Sequence, residues 1–270
     1  VQRFQPTIII GALWIGNSAG RIAGTLLRIP TILTLHAQQT HEGALRTVIT
    51  RTLSMLPGHR VAVSPQIVGA DSIIENGIDL SRIPVKKNYA PEKEFRVLCV
   101  GRLVHVKRFD RAIEVVAALR KKGLQIVLDI IGDGPLRPAL AEQIHTHALE
   151  KHVHLLGQQD AAPHYAQADC FIQTSDSEGL SLALLEALAA GLPAIVTHAD
   201  FSHPVVQHNK TGIIALLPDP EKALLDAVSD LYHDILLRKR LGLQGQALVH
   251  TRFAHEQMVE KYCTLIQSVE

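Results

Sequence analysis

Residues 95–110 read FRVLCVGRLVHVKRFD, and their interpretation decides the fold. Positions 95–100 are apolar almost throughout rather than at alternate places, the pattern of a strand covered on both faces. Gly101 ends that strand, a loop carrying Arg102 and Lys107 follows, and a helical pattern runs over 106–122. Strand, turn and helix in that order make half of a parallel βαβ unit.

The same unit recurs on both sides. Upstream, TIIIG (7–11), PTILTLH (30–36), RVAVS (60–64) and SIIENGID (72–79) read as strands, with helical patterns over 18–28 and 42–55. Downstream, QIVLDIIG (125–132), HVHLLG (152–157), DCFIQ (169–173), PAIVT (193–197) and TGIIAL (211–216) are strands. Helices are expected over 135–149, around Glu186 and along the tail. Apolar strands separated by helix-length segments predict an α/β protein of two Rossmann-like units with parallel sheets. A charged, proline-containing stretch at 80–94 joins them, so the first unit with its linker is placed at 1–92 and the second at 93–250. The first is short for a doubly wound domain and is read as incomplete, its missing part lying before Val1. The chain has no evident internal repeat and no low-complexity segment.

Composition narrows the function. With 27 basic and 26 acidic side chains the net charge is +1, and aromatic residues make up 4%, so neither field nor stacking surface favours nucleic acid. At 47% hydrophobic residues the chain can fill real cores. Cys99, Cys170 and Cys263 are far apart, and the first two lie in apolar strands, which fits reduced thiols in a cytosol. No apolar stretch reaches the roughly 20 residues of a membrane span, so membrane contact would be peripheral. The basic, apolar stretch RTVITRTLSMLPGHR suits an anionic membrane surface or, by default, a buried helix. Among the 15 histidines, His152 and His154 can share a strand face, a weak metal signal.

Within SDSEGLSLALLEALAAGLP (175–193), Glu186 stands among Ala and Leu. A carboxylate there needs a partner, because an unpaired buried charge costs several kcal/mol or takes up a proton. With the helix beginning near Leu180, Glu186 lies two turns beyond Glu178, about 12 Å away, and the two would grip both ends of an elongated polar ligand. The amides of Gly179, Leu180 and Ser181 would open that helix toward an anion or hydroxyl. Arg102 and Lys107, following the strand that ends at Gly101, suit a diphosphate. The turn IIGDGPLRPAL (130–140), with Gly132 and Gly134, would present backbone to a flat ligand or phosphate. A nucleotide diphosphate sugar satisfies all three loops. Taken singly, Glu186 equally fits a structural ion pair, and Arg102 and Lys107 fit solvated loop charges.

The ordered motifs VLCVGRL, IIGDGPLR, VHLLGQ, YAQADCFIQTSDSEGLSLALLEALAAGLPAIV and NKTGIIA resemble the donor-binding domain of the GT-B glycosyltransferases, in particular retaining family 4 with its Glu-x7-Glu motif. The first half resembles the later part of that family's N-terminal domain, through GRIAGTLLRIPTILTLH, RVAVSP and ENGID. The resemblance implies transfer of a sugar from a nucleotide diphosphate donor, UDP ahead of GDP, to a hydroxyl of a glycan or lipid-linked acceptor. No metal or other cofactor would be needed, and the chain would work in the cytoplasm or peripherally at the inner membrane face. Arg102 and Lys107 would hold the diphosphate, Glu186 the ribose, Glu178 and the amides after it the sugar. His36 would face the sugar from the first domain and share catalysis with Glu178, Arg102 and Lys107; alternatively it is a hydrogen-bonded core histidine. The tail 251–270 would be a helix that returns to the first domain. Leu180-Ser181 stand where the family often has Phe-Gly, and ADFSHPVVQH (199–208) replaces a Gly-rich turn. The rival readings are a donor-binding subunit or non-catalytic homologue, and a sugar-nucleotide epimerase or hydrolase of the same architecture.

Overall fold

The computed structural model describes residues 5–36, 44–65, 67–90, 93–197, 205–215 and 219–269. It divides into two units, one of residues 1–77 with 255–270 and one of residues 78–254.

In the first unit, β1 (Ile9–Ala12), β2 (Thr31–Leu35), β3 (His59–Ala62) and β4 (Ser72–Ile73) form a parallel sheet in chain order. Helices α1 (Leu13–Leu27) and α2 (Ala44–Leu53) connect the first three strands. The first residues expected in the second of these helices lie outside the described set. One core gathers Ile32, Val61 and Ile74. It is covered by Met258, Tyr262, Leu265, Ile266 and Val269 of a C-terminal helix that the second unit's helices precede. Their spacing of three and four residues puts those five side chains on one helical stripe.

The second unit carries β5 (Phe95–Val100), β6 (Ile126–Ile131), β7 (Val153–Gly157), β8 (Cys170–Gln173), β9 (Ala194–Val196) and β10 (Ile213–Ile214). All pair in parallel, in the order β10-β9-β8-β5-β6-β7. The chain winds outward from β5 in one direction through β7, then returns to start again at β8, so the order reverses between β5 and β8. In a doubly wound sheet, the strand ends beside that reversal are where loops diverge and a ligand is received. β6, buried at every position, shows why such strands read as unbroken apolar runs. Its one charge, Asp129, is held by Arg96 at 2.5 Å and by His154 at 2.7 Å.

Among the described residues six helices flank this sheet: α3 (Phe109–Lys121), α4 (Arg137–Thr146), α5 (Ala162–Gln167), α6 (Leu182–Ala189), α7 (Pro220–His233) and α8 (Ile235–Arg252); α9 (His255–Val269) is the helix that completes the first unit. Val97, Cys99 and Ile172 pack with α3 and α7 in one core, and Leu98, Ile131 and Phe171 pack with α6 in the other. That split follows the period of two along each strand. Glycines bring α8 close to α6: a Cβ on Gly245 would lie 2.6 Å from the Leu188 side chain.

The division falls at Gly77/Ile78 rather than at 92/93. The segment that reads as a linker is bound to the second unit at several points. Ile78 donates to Phe253 O (2.9 Å), Lys86 N–H to Ala190 O (2.7 Å) and the Tyr89 hydroxyl to Gly191 O (2.8 Å). Lys86, 6% exposed, also donates to Ala168 O and lies 3.5 Å from the Asp169 carboxylate. Proline and charge made this stretch resemble a tether, whereas Lys86, one of its charges, is paired inside the second unit.

Candidate active site

The loops after β5 and β8, on the two sides of the strand-order reversal, are tied together. Thr174 Oγ1 donates to Lys107 O (2.8 Å), Asp176 N–H donates to Val106 O (2.8 Å), and the Arg111 guanidinium pairs with Asp176 (2.7 Å). These bonds set Lys107, at the end of a 3-10 turn (His105–Lys107), against Glu178. Lys107 Nζ donates to Glu178 Oε1, and Ser175 Oγ donates to the same oxygen at 2.6 Å. Both charged side chains are largely covered, at 22% and 12% exposure, so the pair sits in a medium where hydrogen bonds to ions are strong. Arg102 is exposed and has no partner among the described residues, leaving its five donors open to a ligand.

The glycines after β6 allow a close approach of two main chains. A Cβ on Gly132, whose φ is +136°, would stand 1.9 Å from Gly101 O, and one on Gly134 would stand 2.6 Å from Leu103 O. Gly101 N–H donates to Ile131 O, and Leu103 N–H to Asp133 O, both at 2.9 Å. The two turns are therefore laced backbone to backbone. Glycine is required at 132 and 134 because the neighbouring main chain occupies the space a Cβ would take.

Helix α6 begins at Leu182, not near Leu180. Ser181 is extended and caps the helix, its Oγ accepting from Leu184 N–H at 3.4 Å. A hydroxyl at this position competes well with continued helix, since it satisfies an amide the helix cannot. Gly179 and Leu180 consequently belong to the preceding loop, and the two-turn spacing expected between Glu178 and Glu186 does not apply. Leu180 is buried at 8% exposure and packs into the core beneath α6, so its side chain anchors the loop. The amides of Gly179, Leu180, Leu182 and Ala183 have no acceptor among the described residues, and they lie between the two carboxylates in sequence.

Glu186 has a partner within the chain. The hydroxyl of Tyr165, on α5, donates to its Oε2 at 2.8 Å. Burial raises the Glu186 pKa and the Tyr165 hydrogen bond opposes that rise; Asp160 adds to it and Arg82 counters it. Tyr165 is fully buried, and burial with the neighbouring carboxylate pushes its own pKa far up, so it remains a donor. Sequence reasoning missed Tyr165, Ser175 and Thr174. The available signal was a tyrosine in YAQAD directly before the central strand, in a chain poor in aromatics.

His36 follows β2 in the first unit, outside the core, with Nε2 3.2 Å from Thr34 Oγ1. Partial desolvation lowers its pKa, which favours the neutral ring. His152 and His154 do not meet on a metal: His154 is bound to Asp129, and no group of three or more His, Cys, Asp or Glu among the described residues is placed to hold an ion. Cys99 and Cys170 are free and buried, Cys263 free and exposed. No helix among the described residues is long and apolar enough to cross a membrane. Most of the stretch 199–208 lies outside the described residues.

Two units, each with a parallel sheet and helices, match the fold of GT-B glycosyltransferase structures. HepE of Anabaena, in its complex with UDP and glucose, superposes with a TM-score of 0.88 at 19% identity, covering 99% of this chain and 79% of that one. Sucrose-phosphate synthase from Thermosynechococcus elongatus gives 0.84 at 20% identity, covering 99% and 74%. Residues 83–247 match the model of the family described as Glycosyl transferases group 1, and the chain belongs to that family. Among its relatives are a GDP-mannose-dependent alpha-(1-6)-phosphatidylinositol monomannoside mannosyltransferase of Mycobacterium tuberculosis (28% identity over 197 residues) and N-acetyl-alpha-D-glucosaminyl L-malate synthase of Bacillus anthracis (29% over 191). These alignments cover 69% and 68% of this chain but 51% and 49% of the relatives, so the chain spans about half their length.

Proposed function

We propose that this chain carries the donor site of a retaining, metal-independent glycosyltransferase of family 4 type, transferring a sugar from a nucleotide diphosphate, UDP before GDP, to a hydroxyl of a glycan or lipid-linked acceptor. The observation that supports it most is the pairing of Lys107 with Glu178 beside free Arg102 and open amides, at the reversal of the sheet. In this reading Arg102 and Lys107 hold the diphosphate. Glu178 and the amides of Gly179 to Ser181 receive the sugar hydroxyls and phosphate, and Glu186 accepts from the ribose. As the anomeric C–O bond to phosphate breaks, the acceptor hydroxyl attacks from the same face. Its proton passes to the departing phosphate oxygen, whose growing charge the two cations stabilise. His36 is proposed to act at the transferred sugar as a neutral hydrogen-bonding group. The balanced net charge and buried thiols support a cytosolic setting, and a lipid-linked acceptor would bring the protein to the membrane surface.

The test is thermal unfolding with UDP, GDP and ADP, with Glu186→Ala alongside. A nucleotide at about 100 times its Kd should add about 2.7 kcal/mol of stability, and the variant should lose that gain. If none of the three stabilises the chain, the donor-site reading is wrong. With acceptor present, a product of inverted anomeric configuration would overturn the retaining mechanism, and activity abolished by a chelator would overturn metal independence.

A further inference from the structure

We propose that Tyr165 is a positioning residue for this donor site, holding one oxygen of the Glu186 carboxylate so that the other is presented, ionised, to the ligand. The inference rests on the donor reading of Glu186 for its purpose, though not for its geometry. α6 buries Leu184, Leu185, Ala187 and Leu188 and leaves Glu186 half covered among them. A carboxylate so placed loses hydration and tends to take up a proton, and a protonated carboxyl would offer a donor where an acceptor is wanted. The Tyr165 hydroxyl at 2.8 Å is the hydrogen bond that works against this. It occupies Oε2 only; Oε1 has no partner among the described residues.

The rest of the environment divides. Asp160, in the turn before α5, raises the Glu186 pKa, and Arg82, in the segment that crosses the second unit, lowers it. Both are exposed, so salt screens them, whereas the phenol is sealed. The ring of Tyr165 has no other evident polar task. It packs among Ala168, Phe171 and Leu184 in the core beneath α6, with the Phe171 ring centroid at 6.4 Å. A buried phenol needs an acceptor, and a half-buried carboxylate needs a donor. Each answers the other, and together they fix which carboxylate oxygen faces outward.

The experiment compares wild type with Tyr165→Phe by two readouts. In the ligand-free protein, 13C titration of glutamate carboxyls, with the Glu186 signal identified by its absence in Glu186→Gln, should show a higher midpoint in Tyr165→Phe. An unchanged midpoint overturns the proposal. Titration with UDP should show about tenfold weaker binding in Tyr165→Phe at pH 7, the size of one hydrogen bond to a charged group. The loss should deepen as pH falls, and it should be absent for 2′,3′-dideoxy-UDP and absent when both proteins already carry Glu186→Gln. An equal loss for the dideoxy compound, or in the Glu186→Gln background, means that Tyr165 is merely structural. Should Tyr165→Phe not fold, the Tyr165 Cζ signal of wild type must move with the Glu186 midpoint, and failure to do so overturns the proposal. If wild type binds none of UDP, GDP and ADP, the donor reading falls by itself, and the carboxyl titration still decides for or against the pairing.

Discussion

Lys107 and Glu178 form an ion pair, so under the proposed function a diphosphate at this loop competes with or shares that pair. Under that reading, replacing Lys107 by alanine removes a charge from the leaving group, and it leaves Glu178 partly buried without its cation. We expect kcat/KM for the glycosyl transfer to fall about 100- to 1,000-fold, checked by steady-state rates against donor concentration. In the first unit, Arg60 and Asp71 form a bidentate pair that depresses the Asp71 pKa to about 2. A carboxyl lowered in the folded state adds stability above its unfolded value near 4, and that stability is lost as pH falls toward 2. Because the side chains are 39% and 36% exposed, the gain is screened to below about 1 kcal/mol. Asp71→Asn should therefore lower the melting temperature slightly at pH 7 and not at pH 2. At this scale the sequence disclosed which residues were unusual but not whom they touch. Glu186 was conspicuous among Ala and Leu, yet its phenol lies 21 residues earlier, a pairing that no local pattern encodes.

At the scale of elements, the ten strands among the described residues and most of the longer helices were legible, because burial on both faces and a period near 3.6 leave strong marks, although α1 starts five residues before its pattern and α7 and α8 read only as one helical tail. Helix α5 was not, since six residues with a proline at its start are too few to show a period. The start of α6 was misplaced by two residues because Leu180 continues the apolar run while Ser181, the cap, looks unremarkable. Ser181→Ala should cost about 1 kcal/mol in unfolding free energy, measured by urea titration. The glycines were legible as turns but their reason was not, because a close approach of two main chains cannot be seen in either segment alone. Gly132→Ala forces a methyl onto Gly101 O and should destabilise by about 3 kcal/mol or more, whereas Gly123→Ala, at φ +89° with nothing within 4 Å, should cost about 1 kcal/mol.

At the scale of the whole molecule, strand order was the least accessible feature: periodicity finds strands, and tertiary packing chooses their neighbours. The division of the chain was legible only approximately, since proline and charge at 80–94 imitate a linker although Lys86 and Tyr89 are built into the second unit. Deleting residues 255–270 should strip the stripe of Met258, Tyr262, Leu265 and Ile266 from Ile32, Val61 and Ile74. Hydrogen exchange is then expected to show lost protection in β1–β4 with β5–β9 unchanged. That arrangement also has a bearing on biosynthesis. The first unit's strands are translated early but lack one wall of their core until residues 255–269 have left the ribosome, by which time all of residues 78–254 have emerged. Folding on the ribosome should thus run against the order of translation, with the sheet of β5–β10 closing first and the sheet of β1–β4 waiting, its apolar face open to chaperones, for α9.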